Sequence, residues 1–517
     1  MNKFLEKHKD SILGVISGFD RVIFRGGIRS LVYKAGMASY LNYKRILLKD
    51  FKTHAPAMSS EIVEKTKKYA EREKRSFTYL QGYAKGKEAM AKEIAETDKI
   101  KEGLVCIFST LENCNSYKVI GNRSTKQLEL TSYKTKCRHL YFYFIDPVLG
   151  LMHGRIQTWY PFNVQFYING KEWLANLMTK NGIGFNQVDN CFTRIEDFKA
   201  VSKIVQKQFV KKWPRTLNSF VKIINPISSK VLYPGSSYYW TTHQSEVATD
   251  ILFKDKASLD QMYHELVYHS MLTFNSKDVI HFLGKRINVN GDIPGYFNSE
   301  VITDFKNRPE GIRIKHSLGP NSVKVYNKAG SVLRVETTIN QPNMFKTLRP
   351  IGDTEELKYQ PMRKSVVDLS NRAKTSLKIN ERHLNSLANA SVEDKFLSIL
   401  DPFLNPISKN NKRTRVLDPL EKDSFILKSI GDGDYQINGL RNRDIRAKLF
   451  PKIMDKEEAK RCSAKISRYF RILRNHGVIK KVPRTHRYLL TERGIKLISA
   501  LKALSESRVS DIIKVAS

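Results

Sequence analysis

From Cys137 to Trp173 the chain reads CRHLYFYFIDPVLGLMHGRIQTWYPFNVQFYINGKEW, a pattern that predicts two long strands joined at Asp146-Pro147-Val148-Leu149-Gly150. Tyr141 to Ile145 is aromatic and apolar on both faces, as in a strand deep in a sheet. The return strand alternates. Met152, Gly154, Ile156 and Thr158 point one way, and His153, Arg155, Gln157 and Trp159 the other. A cation, an imidazole and a carboxamide in a row need polar partners, because unpaired buried polar groups are costly; a phosphate or a base edge would serve.

The same reading extends along the chain. An opening helix precedes GFDRVIFRGGIRSLVY, where Asp20, Arg21, Arg25 and Arg29 interleave with apolar residues. Residues 59–102 are charged and helical in pattern, so 1–102 is expected to be a mainly helical region. GLVCIFSTLE (103–112) reads as a buried strand, followed by a hairpin. Thr242 opens an expected helix that places His243, Glu246 and Asp250 on one stripe. HSMLTFNSKDVIHFLGKR (269–286) reads as one helix ending at Gly284. Residues 311–340 read as a three-stranded meander, with Lys324, Tyr326 and Lys328 on one face and Arg334, Glu336 and Thr338 on another. The span 346–420 reads as a basic helical linker, with NPISKNNKRTR as its loosest part. In 421–517 the order helix, helix, basic hairpin, helix is that of a winged helix-turn-helix, with VPRTHR as the wing. The expected fold class is α+β: a mixed, mainly antiparallel sheet body over 103–345, the helical N-terminal region and the winged helix.

Charge changes the picture most. The 517 residues hold 89 Lys and Arg against 51 Asp and Glu, a net charge of +38 spread along the whole chain. That balance points to nucleic acid. No apolar run reaches the roughly eighteen residues of a membrane span, and the N-terminus is too charged for a signal peptide. The cysteines, Cys106, Cys114, Cys137, Cys191 and Cys462, form no CxxC pair, so reduced thiols in a cytoplasm are expected.

Candidate chemistry follows from these patterns. Arg21, Arg25 and Arg29 are candidate phosphate contacts, with Asp20 orienting one of them or forming a surface ion pair. Gln157, Lys324, Tyr326, Lys328 and Arg334 form a basic sheet surface that suits a backbone and a stacked base. In the C-terminal part Ile466, Phe470 and Leu473 turn inward, leaving Lys465, Arg468 and Arg471 for a duplex, together with Lys480, Lys481, Arg484 and Arg487 of the hairpin. Asp146, His153, Arg155, Glu246 and Asp250 are the catalytic candidates. Asp146, Asp189, Glu246 and Asp250 are the candidate ligands of Mg²⁺ or Mn²⁺, and Asp189-Asn190 is a short acidic–amide pair able to position a metal or a water. Glu336, among cations, either organises ion pairs or ligates a metal.

FDRVIFRG, EGLVCIFSTLE, HLYFYFIDPVLGLMHGRIQTWYPFNVQFYINGKEWL, DNCF, YYWTTHQSEVATDILF and NSVKVYNKAGSVLRVETTIN together resemble a widespread bacterial family of about this length that recurs with mobile elements. The resemblance covers most of residues 19–345. It implies a transposase-like or winged-helix role and carries over no catalytic residue. Tyr326, Lys328, Arg334 and Glu336 also match the outline of rolling-circle replication initiators, though the His-hydrophobe-His metal motif of those proteins has no counterpart here.

The leading expectation is a mobile-element-associated protein that binds structured RNA or a DNA end, without a membrane and with self-association left open. A metal-dependent endonuclease or strand-transfer enzyme is the second expectation, and a transcriptional regulator the third.

Overall fold

The computed structural model describes residues 2–81, 86–272, 274, 276–284, 301–309, 311–352, 356–388, 399–409, 412–431, 439–451, 455–483 and 485–506. The chain is α+β and divides into two compact, discontinuous units. One comprises residues 1–13, 251–335 and 379–517; the other comprises 14–250 and 336–378. These units do not follow the linear boundaries at 102, 345 and 420, because three long strands (Ile12–Gly27, Tyr239–Phe253, Val332–Ile339) and the helix Leu369–Leu387 each carry the chain from one unit into the other.

The 14–250 unit holds most of the sheet. Its strands are β1 (Ile12–Gly27), β2 (Ser76–Tyr79), β3 (Gly103–Gly121), β4 (Leu128–Asp146), β5 (Gly150–Gln157) and β6 (Val164–Asn169), with β7 (Phe185–Val188) and β8 (Cys191–Ile195) forming a separate hairpin. They are followed by β9 (Tyr239–Phe253). Strand order runs β9-β1-β6-β5-β4-β3-β2. The β1–β6, β6–β5, β5–β4 and β4–β3 pairs are antiparallel, while β2 joins β3 in parallel. The 1–102 region is mainly helical by content but does not stand apart from the sheet. Its helices Lys34–Tyr43, Phe51–Arg72 and Lys87–Thr97 do form, but β1 and β2 belong to the sheet.

β1 is a strand because its apolar positions alternate: Val22 and Phe24 are fully buried, whereas Arg25 is exposed. Beneath that face Phe24 meets Trp213 at 4.7 Å, and Phe166 meets Trp240 at 5.8 Å. The turn from β4 to β5 falls at the expected residues, with Gly150 at φ +75°, a conformation other residues resist. The helix Gly170–Lys180 starts where the Asn169 side chain accepts from the Lys171 and Glu172 amides. A Cβ at Gly170 would lie 2.0 Å from the Phe19 carbonyl oxygen, so glycine lets this helix start lie against β1.

The other unit contains β10 (Val301–Lys306), β11 (Arg313–Leu318), β12 (Asn321–Lys328) and β13 (Val332–Ile339) up to Val335, in that order. The 311–340 meander is thus present. The 269–286 helix is two helices, Lys256–Leu272 and Ser276–Phe282, and residues 285–286 lie outside the described ones.

The linker reading is corrected too. Residues 346–361 form the hairpin β14 (Lys346–Pro350) and β15 (Leu357–Pro361), and Leu369–Leu387 is a helix. The NPISKNNKRTR stretch pairs Ile407 with Thr414 and Lys409 with Lys412. Towards the C-terminus come helices Ser424–Ile430, Asn442–Leu449 and Lys456–Asn475, a short hairpin (Ile479–Lys481, Tyr488–Leu490) and helix Glu492–Glu506. Leu427, Ile445, Ile466, Phe470 and Leu473 form their common core.

Candidate functional site

Two features of the 14–250/336–378 unit carry chemistry. The first is a group of buried carboxylates. Asp20 on β1, Glu246 on β9 and Glu336 on β13 offer oxygens within 4.8 Å of one another, and all three residues belong to this unit. The strands β13, β9 and β1 are neighbours, so three distant stretches of sequence meet side by side. The carboxylates are held from outside the group. Asn190 Nδ2 donates to Asp20 Oδ1 at 2.8 Å, Gln244 Nε2 donates to Glu246 Oε1 at 2.8 Å, and Thr338 Oγ1 donates to the same oxygen at 3.3 Å. Arg21 Nε lies 3.8 Å from Glu246 Oε2. Burial works against the Arg21 charge, but Glu246, Tyr167 and Asp20 outweigh it and raise its pKa. Three hard oxygen donors match Mg²⁺ or Mn²⁺ better than a soft metal.

Of the four expected ligands Glu246 alone is in this group, joined by Glu336, a residue expected either to organise ion pairs or to ligate a metal. Asp146 Oδ1 accepts from the Val148 and Leu149 amides, both at 2.8 Å, and so shapes its own turn. Asp189 occupies the β7–β8 turn at φ +51°, while its neighbour Asn190 reaches Asp20. Asp250 accepts from Lys171 Nζ at 2.6 Å, with both side chains fully buried. The helical stripe of His243, Glu246 and Asp250 does not exist, because these residues lie on β9. Its β-branched and aromatic residues, Tyr239, Trp240, Thr241, Thr242, Val247, Thr249 and Ile251, favour the extended form.

The second feature is a cationic cleft of about 1010 Å³. Arg25, Arg29, Lys134, Lys136 and Arg155 line it with Tyr239, and no Asp or Glu does. Strand register explains the convergence: Arg25 pairs with Gln165, Gln165 with Arg155, and Arg155 with Tyr141, so their side chains form one row across β1, β6, β5 and β4. Arg25 Nε donates to Gln165 Oε1 at 3.1 Å, and the Arg29 guanidinium stacks 4.0 Å from the Tyr239 ring centroid. The cations repel one another. Burial, then Arg155, lowers the Arg25 pKa. His243 is held down at about 4, first by burial and then by Arg25, Lys364, Arg372 and Arg155. A bound anion would relieve that crowding.

The row of His153, Arg155 and Gln157 separates into three roles. His153 lies in an aromatic setting: its ring stacks on Tyr167 (centroids 5.1 Å, planes 7° apart) and packs against Tyr141 and Tyr143. Burial of the ring, then Arg155 and Lys87, pushes its pKa down to about 3, which favours the neutral imidazole although the residue as a whole is partly exposed. Arg155 faces the cleft but pairs with Glu112 at 3.1 Å. Burial opposes the Glu112 charge, yet the Tyr141 hydroxyl and the Lys87 ammonium hold that carboxyl down at about 2. Gln157 spends its amide nitrogen on the carbonyls of Asn115, Trp159 and Tyr160, which leaves it structural.

The meander surface is also corrected. Tyr326 and Arg334 are buried, and Lys324 and Lys328 only partly exposed: β13 is covered at every position, and β12 at every position but these two lysines. In the C-terminal part Lys465, Arg468, Arg471, Lys480, Lys481 and Arg487 are exposed, and Arg484 lies outside the described residues. The sequence reading missed Asp20 as a ligand, and it missed Lys134 and Lys136, whose alternation in TSYKTKCRH was the available signal. Among the described residues no helix is long and apolar enough to cross a membrane. Comparison with protein-family models, curated proteins and solved structures finds no match to the chain.

Proposed function

We propose that this chain binds nucleic acid, RNA or DNA, with the phosphodiester backbone lying in the cationic cleft. One observation carries the reading: five cations and no carboxylate line that cleft. Ionic contacts of this kind supply most of the affinity for a polyanion and make it steeply salt-dependent. The exposed cations of Lys456–Asn475 and the following hairpin support a duplex contact of the winged-helix kind. A cytoplasmic role within a mobile element, as the sequence resemblance implies, belongs to the same proposal. Filter binding of the full chain to labelled RNA and DNA at low salt is the test. Retention that falls with added salt is expected, and no retention of either nucleic acid overturns the reading.

The buried carboxylates favour a second reading, divalent-ion-dependent cleavage or transfer of a phosphodiester. Asp20, Glu246 and Glu336 would hold the ion, with Asn190 and Gln244 fixing two of them and Arg21 balancing charge. A bound divalent ion supplies Lewis-acid stabilisation of phosphoryl oxygens. Mn²⁺ titration calorimetry should show binding to the wild-type chain that Glu246→Gln weakens by at least about tenfold. Equal heats from both proteins would remove the ion from the mechanism, as would cleavage of labelled substrate that survives the substitution.

A further inference from the structure

Five cysteines are present as free thiols, and one of them stands in the cleft wall. That residue is Cys114 on β3. In the β3–β4 ladder Cys114 pairs with Thr135 and Glu112 with Cys137, so the two cysteines are diagonal neighbours on one face. Their thiols are hydrogen-bonded to each other. His139 Nδ1 lies 3.9 Å from Cys137 Sγ, and the Arg155 charge acts on both cysteines.

We propose that Cys114 is a modification site: a thiol in the cleft wall that hydroperoxides oxidise to a sulfenic acid, which Cys137 then resolves as a disulfide. The inference goes beyond nucleic-acid binding and stands without it.

The two thiols have different roles because their surroundings differ. Cys137 donates its S–H to Cys114, and this hydrogen bond, helped by Arg155 against the cost of burial, lowers the Cys114 pKa. The same bond, together with burial and the Cys114 charge, raises that of Cys137. Cys114 is 8% exposed, so thiolate collects on a largely buried residue whose remaining surface lines the electropositive cleft, the side from which a small peroxide would reach it. Cys106, on the same strand, shows the ordinary outcome, since burial alone pushes it up to about 12. Cys191 is buried with its S–H on the Phe192 carbonyl, and Cys462 is partly exposed in the other unit.

The chemistry balances. The Cys114 thiolate attacks one peroxide oxygen; the O–O bond breaks, an S–O bond forms, and the alkoxide or hydroxide leaves with a proton from solvent. Sulfur loses two electrons and the peroxide gains them. Oxidation removes the negative charge that kept Cys137 protonated. The Cys137 sulfur then attacks the sulfenic sulfur, an S–S bond forms, and the hydroxyl leaves as water with the Cys137 proton.

The test uses the full chain, hydrogen peroxide and peptide mass mapping after alkylation with iodoacetamide. Before oxidation Cys114 should be alkylated at least about tenfold faster than Cys106. After oxidation the Cys114 and Cys137 peptides should be joined by a bond that dithiothreitol cleaves. In Cys137→Ser, dimedone should trap a sulfenic acid on Cys114; Cys114→Ser should give neither product. A peroxide-treated wild-type chain without the linked peptides, or a Cys137→Ser chain without a dimedone adduct at Cys114, overturns the proposal. The wild-type arm decides it even if Cys114→Ser does not fold. The readout is covalent, so a failure of nucleic-acid binding would leave it untouched.

Discussion

At the scale of single residues, alternation told which side chains share a face and not how deep that face lies. His153 and Arg155 do point the same way, as the pattern in GLMHGRIQ requires, and both are partly exposed, yet one ring packs among tyrosines and the other side chain reaches the cleft. Depth is set by partners on β4 and β6, and a single strand's pattern does not contain them. The burial has a measurable consequence. The folded pKa of His153, about 3, lies below the roughly 6.5 of an unfolded histidine, so the unfolded chain takes up a proton that the folded chain refuses. Stability therefore falls as pH drops below about 6.5 and keeps falling toward the folded value, by up to about 1.4 kcal/mol per pH unit for one such group. His153→Phe keeps a ring against Tyr167 and removes the titration. Melting temperatures measured from pH 7 to 4 should decline less steeply in that variant; an unchanged slope would mean that His153 is not held neutral by the fold. Glu112 acts in a separate window. Its folded pKa of about 2 is depressed, so its stabilisation is complete above about 4.3 and is lost only as pH falls toward 2.

At the scale of elements, the legible parts were those with a strong local signal: the β4–β5 turn, the 311–340 meander and the Leu369–Leu387 helix. β9 was misread because residues four apart share a face in a strand as well as in a helix, so Glu246 and Asp250 fit both periods. The carboxylate group was illegible for another reason. Asp20 and Glu246 are 226 positions apart and Glu246 and Glu336 are 90 apart, and only the strand order β13-β9-β1 makes them neighbours. A second element-level link is the Lys171–Asp250 pair, which ties the start of the Gly170–Lys180 helix to β9. With both side chains fully buried, removing one partner strands a charge, at a cost of about 3–5 kcal/mol. Lys171→Met should lower the urea midpoint accordingly. Adding Asp250→Leu to it should recover most of the loss, because a matched apolar pair leaves no uncompensated charge. If the double variant is as unstable as the single one, the pair's hydrogen bond rather than its charge balance is what holds the helix to the strand.

For the whole molecule the informative quantity is where the +38 acts. Charge spread along a sequence gives non-specific attraction, whereas charge gathered in a cleft gives a defined number of phosphate contacts, and salt dependence separates the two. Each phosphate contact contributes about 0.7 to the slope of log K against log salt for single strands and about 0.9 for duplex DNA. Arg25→Ala with Lys134→Ala removes two cleft cations. It should shallow the slope by about 1.4–1.8 if both meet the backbone. Arg468→Ala with Arg471→Ala removes two exposed cations of the Lys456–Asn475 helix. If that helix meets duplex only, this pair should shallow the slope for duplex and leave that for single strands unchanged. Both variants subtract the same formal charge from the chain, so a model in which only net charge matters requires identical changes on every substrate. Different changes on single-stranded and duplex ligands would assign the cleft and the C-terminal helix to separate parts of the nucleic acid. Identical changes would reduce the cleft to part of a diffuse positive field and remove the observation on which the binding proposal stands.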